Sequence, residues 1–213
     1  MEAAVLRYPP YRIETERLVI RCWNPGDAEQ LKATIDQNLH HLRRWMPWAL
    51  NEPTPIDQKV ELLRAFRSMF DASTDFVYGV FAKDDHTVLG GSGFHTRRGP
   101  AAFEIGYWID RRHTRMGLAT ELVRALVPAA FMVHGIDLIE IRCEAGNEAS
   151  AAIPRKLGFT HEATLRRRGT DFPGEFRDQM VFSLFRADAL AALAGSFPRP
   201  VMFDAAGHRI EGE

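Results

Sequence analysis

The sequence predicts an α+β fold built on a mixed, mostly antiparallel sheet. Two observations support this prediction. The predicted elements follow the order βααβββαβαββ, in which most strands succeed one another through short turns. Only one place has the strand–helix–strand order of a parallel crossover, namely Ala101–Ile109, Gly117–His134 and Leu138–Cys143. The 213 residues, 46% of them hydrophobic, are enough for one well-buried core.

The N-terminal part is predicted to hold one strand and two helices. Arg17–Trp23 alternates apolar and polar residues, as a half-buried strand does. After a turn, Asp27 is placed to cap a helix over Ala28–Gln37. Leu39–Leu50 contains two tryptophans and a proline, which indicates an aromatic-rich loop or an irregular helix. Thr54-Pro55 then starts the second predicted helix, which runs to about Asp71 with apolar residues at helical spacing.

Three strands and a long helix form the middle of the chain. The predicted strands, separated by Asp-Asp and Gly-Pro turns, are Phe76–Ala82, Thr87–His95 and Ala101–Ile109. The helix is predicted from Gly117 to about His134, where Gly135 ends it. Pro128 lies inside this helix and is expected to kink or divide it.

The C-terminal part continues with a strand, a short helix and two more strands. Their predicted ranges are Leu138–Cys143, Glu148–Leu157, Phe159–Arg168 and Phe176–Phe185. The composition changes after Leu193, so we predict a domain over residues 1–193 and a tail over residues 194–213. The tail contains one short apolar piece, Val201–Phe203, and is expected to dock on its own domain, to dock on a neighbour, or to fray.

Charge and composition exclude several classes of protein. The formal charge of −1 gives no electrostatic footprint for nucleic acid, and Arg166–Arg168 is either a solvated rim or a phosphate contact. No apolar run approaches the roughly 20 residues of a membrane span, and the start of the chain lacks signal-peptide features, so we expect a cytoplasmic protein. Cys22 and Cys143 lie in strand-like runs and are expected to be buried thiols. The eight histidines show no metal-site spacing.

The strand ending at Ile109 leads into a turn that opens a helix near Gly117. Backbone N–H groups at a helix start have no partner within the helix, and the helix dipole adds partial positive charge there. Glycine lets such a backbone approach phosphate oxygens closely. The sequence therefore predicts a pyrophosphate site, and with it a phosphorylated cofactor.

With these motifs in this order, residues 13–193 resemble the GNAT superfamily of acyl-CoA N-acyltransferases, and within it the RimJ/RimL type that acetylates protein N-terminal amines. Four segments carry the likeness: Glu14–Leu18, Arg44–Trp48, Glu104–Ile109 and Asn147–Phe159. The resemblance implies a GNAT fold, with helices on both faces and a sheet splayed between the fourth and fifth predicted strands. The chain departs from the family at the cofactor turn. Thr114 stands where Gln or Arg is usual and Arg115 where Gly is common, whereas Gly117 and Ala119 are kept. A weakened coenzyme A site is the competing interpretation.

The resemblance also implies where acetyl-CoA binds. The backbone of the fourth strand would pair with the pantetheine arm, the amides of the turn would hold the pyrophosphate, and Arg115 would add a charged contact. The implied cofactor-binding residues are Trp108, Ile109, Arg115, Met116, Gly117, Leu118, Ala119, Thr120 and Asn147.

Catalytic roles follow from the same resemblance. Ser150 would protonate the leaving sulfur, or else it only caps a helix. Glu104 would act as the base, directly or through water, or else it only pairs with a nearby arginine. Tyr107, His95 and His113 are further candidate proton carriers. The acceptor groove is expected at Trp45, Trp48 and Tyr107, although one of the two tryptophans is expected to be core.

The predicted activity is transfer of an acetyl group to an amine, first of all to the N-terminal α-amine of a protein or peptide. An α-amine has a pKa of roughly 7.7–8.0 against about 10.4 for lysine, so it needs less help from a base. Two alternatives remain open: an acetyltransferase for small-molecule amines, and a module that binds acyl-CoA without turnover. A homodimer is one possible assembly.

Overall fold

A ten-stranded sheet runs through the part of the chain that the computed structural model describes, residues 8–131, 136–169, 175–193 and 200–211. In chain order the strands are β1 Arg12–Glu14, β2 Val19–Cys22, β3 Phe76–Phe81, β4 Val88–His95, β5 Ala102–Ile109, β6 Leu138–Glu144, β7 Thr160–Gly169, β8 Arg177–Phe185, β9 Val201–Phe203 and β10 Arg209–Ile210. Their order across the sheet is β10-β9-β1-β2-β3-β4-β5-β6-β8-β7. The pair β5–β6 is parallel, and the other pairs are antiparallel.

Five helices belong to the described part of the chain: α1 Ala28–Arg43, α2 Ile56–Asp71, α3 Leu118–Phe131, α4 Glu148–Lys156 and α5 Arg186–Leu193. The faces of the sheet carry two separate cores. One core joins sheet residues such as Ile105 to Leu122 of α3 and Ala151 of α4. The other joins Val19 and its neighbours to α1 and α2. The predicted arrangement, a mixed sheet with helices on both faces, is therefore confirmed.

The differences from the sequence-based prediction are local. α1 runs on to Arg43, six residues beyond the predicted end, and a 3-10 turn at Pro47–Asn51 follows it. The Asp27 carboxylate does not cap α1, because it accepts hydrogen bonds from the Arg21 guanidinium and the Asn24 N–H instead. α3 continues through Pro128 without being divided. Its predicted end at His134 and Gly135 lies outside the described residues.

Four elements were not predicted, namely β1, α5, β9 and β10. β1 is only three residues long and buries one of them, Ile13, so its alternation is too short to be recognised in the sequence. β9 pairs antiparallel with β1, and β10 pairs with β9. The apolar piece Val201–Phe203 thus docks on the edge of its own sheet.

The structure also describes the two cysteines and the apolar character of the helices. Cys22 and Cys143 are free, buried thiols, as expected. None of the helices in the described ranges is both long and apolar enough to cross a membrane.

Candidate active site

The sheet opens between β5 and β6. These two strands pair only over Ala102–Glu104 and Leu138–Glu140. Beyond that point β5 stays with β4 up to Ile109, whereas β6 stays with β8 up to Glu144. The last part of β5 therefore faces an opening in the sheet. This is the predicted splay between the fourth and fifth predicted strands.

Ser150 lies beside this opening, on the first turn of α4. Asn147 caps the helix, since its Oδ1 accepts the Ser150 N–H at 3.2 Å. The Ser150 hydroxyl is thus not needed as the cap. It lies 3.2 Å from the Tyr107 hydroxyl, which is also 3.1 Å from the Ser150 carbonyl oxygen. Burial raises the pKa of Tyr107 well above its usual value, so the phenol stays protonated.

The thiol of Cys143 lies against the same serine. Burial raises the pKa of Cys143 to about 11, and the Ser150 hydroxyl opposes that rise through a hydrogen bond. The thiol is therefore neutral at physiological pH. Ser150, Tyr107 and Cys143 form a neutral group on the α3–α4 side of the opening.

The turn after β5 presents backbone amides at the start of α3. The first i→i−4 bond of this helix runs from the Glu121 N–H to the Gly117 carbonyl at 3.0 Å, so the amides of Leu118, Ala119 and Thr120 precede the helical ladder. Arg17 fixes the turn by donating to the Met116 carbonyl at 2.8 Å and by pairing with Glu121. The amides and the helix dipole together suit an anion.

Arg115 adopts a left-handed backbone conformation with φ +62°, and Gly117 has φ +79°. The glycine that is common at the position of Arg115 would adopt this conformation at no cost, whereas arginine keeps the same path at a cost of about 1 kcal/mol. The Arg115 side chain is exposed and makes no hydrogen bond or ion pair within the described ranges. It is therefore available to a phosphate. The turn therefore combines two positive φ angles with an exposed, charged side chain.

Glu104 is buried at the point where β5 and β6 part. Its two carboxylate oxygens accept hydrogen bonds from Arg97 and Arg98, both at 2.5 Å. Burial alone would raise the pKa of Glu104, but these two guanidinium groups outweigh it and hold the pKa below its usual range. A carboxylate held in this way is a weak base. The role of Glu104 as the catalytic base stays a prediction.

The aromatic residues divide between the two faces of the sheet. Trp48 is 39% exposed, and its ring centre lies 6.1 Å from that of Trp108 on the α1–α2 side. Trp45 lies in the same loop, with the Arg44 guanidinium 4.7 Å from its ring. Tyr107 points to the opposite face, because neighbouring strand residues alternate. Tyr107 thus lies with Ser150 and apart from the tryptophans with which it was grouped.

Glycines of β4 and β5 lie next to Trp108, on the face of the sheet that packs against α1 and α2. Gly91 lies opposite Trp108 and Gly93 opposite Gly106, on the same face as the cross-strand pair of His95 and Glu104. A Cβ added at Gly91 would come within 2.7 Å of the Trp108 indole nitrogen, so the absence of a side chain there makes room for the ring. Trp48, Trp108 and His95 therefore lie on one face of the sheet.

Asp75 is a site residue that the sequence analysis missed. Its carboxylate lies 3.0 Å from the His95 Nδ1. No spacing rule links these residues, which lie on either side of β3, and only the pairing of β3 with β4 brings them together.

The chain matches known acetyltransferases. The family model described as the acetyltransferase (GNAT) domain matches residues 17–160, more than half of the chain. The putative ribosomal N-acetyltransferase YdaF of Bacillus subtilis is 28% identical over 174 residues, which are 81% of this chain and 93% of YdaF. The ribosomal protein uS5-alanine N-acetyltransferase of Escherichia coli is 25% identical over 188 residues, 84% and 93% of the two chains.

A solved structure has the same fold. RimL, a ribosomal L7/L12 α-N-protein acetyltransferase in complex with coenzyme A, superposes with a TM-score of 0.74 at 20% identity, over 84% of this chain and 99% of RimL. The turn geometry at Gly117 and the opening of the sheet beside Ser150 fit acetyl-CoA, the acetyl donor of this family. The chain belongs to the GNAT family of N-acetyltransferases.

Proposed function

We propose that this protein transfers the acetyl group of acetyl-CoA to the N-terminal α-amine of a protein or peptide. The observation that carries the proposal is the Ser150–Tyr107 hydroxyl pair at the opening of the sheet. The names of two relatives support the acceptor class, since one acetylates an alanine of ribosomal protein uS5 and the other an α-amine of L7/L12.

The chain's own backbone would hold the donor. The amides of Met116–Thr120 would bind the diphosphate, and Arg115 would add its free guanidinium. The backbone of Trp108 and Ile109 would pair with the pantetheine arm along the open edge of β5, as an added strand pairs with a sheet. Asn147, which orients α4 through its cap, would lie at the end of that arm.

Ser150 would supply the proton that the leaving thiolate needs. The Ser150 hydroxyl does not cap α4, because Asn147 does, and it lies within hydrogen-bond distance of the Tyr107 phenol. The phenol can orient the serine hydroxyl and pass a proton to it. On the other face, the surface beside Trp48 and Trp108 would receive the acceptor. The amine would then approach the acetyl group from the α1–α2 side while Ser150 acts from the α3–α4 side.

The cellular setting of the reaction forms part of the proposal. We propose that the protein works in the cytoplasm, where ribosomal proteins are found, and that residues 1–193 form the acetyltransferase domain with residues 194–213 as its tail. A homodimer stays a prediction, which light scattering would check.

The proposal is tested by following free thiol release from acetyl-CoA with a panel of peptides and small amines. Each peptide is offered with a free and with a blocked N-terminus, so that lysine acetylation is measured separately. Release that requires the free N-terminus supports the proposal. Release with small amines alone would identify the small-molecule alternative, and coenzyme A binding without release would identify the binding module.

Ser150→Ala tests the proposed acid. We expect turnover to fall by up to roughly 10²-fold, because the thiolate then leaves without a positioned proton donor. Calorimetric affinity for coenzyme A should change little. Ser68→Ala is the matched control, since Ser68 is an exposed serine on α2. Unchanged turnover in Ser150→Ala would remove Ser150 from the mechanism.

A further inference from the structure

The α1–α2 face of the opening carries a histidine whose surroundings suit proton transfer. His95 ends β4, and its Nδ1 lies 3.0 Å from the Asp75 carboxylate. A carboxylate accepts hydrogen bonds, so Nδ1 carries the proton and Nε2 of the neutral ring is left as an acceptor. No residue in the described ranges makes a hydrogen bond to Nε2.

The ring of His95 lies over two glycines that face each other across the strands. A Cβ at Gly93 would come within 3.2 Å of the His95 Nε2, and a Cβ at Gly106 within 3.4 Å. The Gly93 distance is tighter than ordinary van der Waals contact and the Gly106 distance lies at its lower limit, so a side chain at Gly93 would crowd the imidazole and one at Gly106 would touch it. Gly106 is the first residue on this face beyond Glu104, where β5 and β6 part. The free nitrogen therefore lies at the edge of the opening.

His95 and Glu104 can be compared directly as bases, because they are cross-strand partners on one face. The Glu104 side chain is 8% exposed, and both its oxygens are occupied by guanidinium groups. The His95 side chain is 22% exposed and has an unoccupied nitrogen. The charged groups facing the imidazole are Asp75, from the segment before β3, and Glu104 with its partners Arg97 and Arg98.

We infer that His95 is the catalytic base of the acetyl transfer and that Asp75 is its positioning residue. The inference rests on the proposed function. From a neutral amine, the N–C bond forms as the C–S bond breaks, and His95 Nε2 takes one proton from the acceptor nitrogen. The thiolate receives one proton from Ser150 on the opposite face. Exchange with water then returns a proton to the serine and removes one from the imidazolium.

The test measures thiol release by wild type, His95→Ala and His95→Gln with one N-terminal peptide acceptor. We expect kcat/KM to fall by roughly 10²-fold or more in both variants, with coenzyme A affinity by calorimetry unchanged. Added imidazole should restore part of the rate of His95→Ala, because Gly93 and Gly106 leave room for it, and should not restore His95→Gln. The matched control is His208→Gln, which removes another histidine beside an aspartate, Asp204, far along the chain in the β9–β10 turn.

Asp75→Asn tests whether Asp75 positions the His95 ring for catalysis or serves only the fold. We expect kcat to fall while KM for acetyl-CoA holds, and nitrogen NMR of the free protein should show the His95 ring changing from one tautomer to a mixture. This readout needs no turnover.

The outcomes for the histidine and for the function are distinct. No thiol release by the wild type with any amine overturns the proposed function and this inference with it. Turnover in the wild type with less than a threefold loss in both His95 variants overturns the inference alone. A larger loss in Glu104→Gln than in His95→Ala, without imidazole rescue, would assign the base to Glu104.

Discussion

At the scale of single residues, the arginines beside Glu104 decide the character of that carboxylate. The resemblance to the GNAT family implies that a glutamate on the fourth predicted strand acts as the base. Arg97 and Arg98 make Glu104 the centre of an ion-pair cluster, in which Arg142 lies 3.9 Å from the carboxylate. Its pKa is lowered, so it is ionised and stabilising under ordinary conditions. The sequence shows the arginines nearby, but only the β4–β5 connection directs them to the carboxylate.

This lowered pKa predicts a pH-dependent stability. A carboxyl group whose folded pKa lies below its unfolded value of about 4.3 stabilises the fold above that pH and loses this contribution as the pH falls through the folded pKa. Glu104→Gln should therefore cost roughly 2 kcal/mol near pH 7, and less as the pH falls below about 4. Thermal unfolding of both proteins between pH 3 and 7 measures the difference. A difference in stability between the two proteins that stays constant from pH 3 to 7 would contradict the ion-pair interpretation.

At the scale of elements, the turn between β5 and α3 is shaped by its backbone. Two positive φ angles, at Arg115 and Gly117, define this turn, and Arg17 ties it to the N-terminal segment. In the proposed site the backbone amides would hold the diphosphate, so the side chains of Thr114 and Arg115 would not remove it.

Gly117→Ala is expected to weaken coenzyme A binding on the order of tenfold, or about 1.4 kcal/mol. Within the protein the new Cβ would meet only Arg17, at 3.6 Å, so the loss of affinity would come from contact between the methyl group and the bound diphosphate. Stability should fall by about 1 kcal/mol from the left-handed φ alone. Calorimetry with coenzyme A and thermal unfolding measure the two effects.

Gly207→Ala is the matched control for that experiment. Gly207 has φ +80° with nothing within 4 Å of an added Cβ, so it carries the same backbone cost in the β9–β10 turn. Its coenzyme A affinity should equal that of the wild type. An equal loss of affinity in the two variants would mean that the effect comes from stability and not from contact with the diphosphate.

At the scale of the whole molecule, the C-terminal residues complete the sheet at the edge away from the opening. β9 pairs with β1, and Met202 is buried in the larger core. The opening lies four strands from β1, between β5 and β6. β9 and β10 therefore extend the sheet at the edge away from the proposed site.

A chain ending at Leu193 should unfold at a lower temperature but still bind coenzyme A. Loss of the β9 pairing and of Met202 should cost about 2–3 kcal/mol, which lowers Tm by roughly 4–12 °C for a protein of this size. Calorimetric unfolding and coenzyme A titration of both chains check this. An unchanged Tm would show that the strand pairing adds nothing to stability.

The sequence by itself determined the order of the main elements, the parallel crossover and the turn that opens α3, because periodicity and turn residues are local signals. It also placed Ser150 and Asn147 on one helix start. Tertiary structure alone decided which groups meet: Tyr107 with Ser150, Arg97 and Arg98 with Glu104, Asp75 with His95, and β9 with β1. These contacts join residues from different elements, and their distances depend on strand register and on which face each side chain takes, neither of which a linear pattern contains.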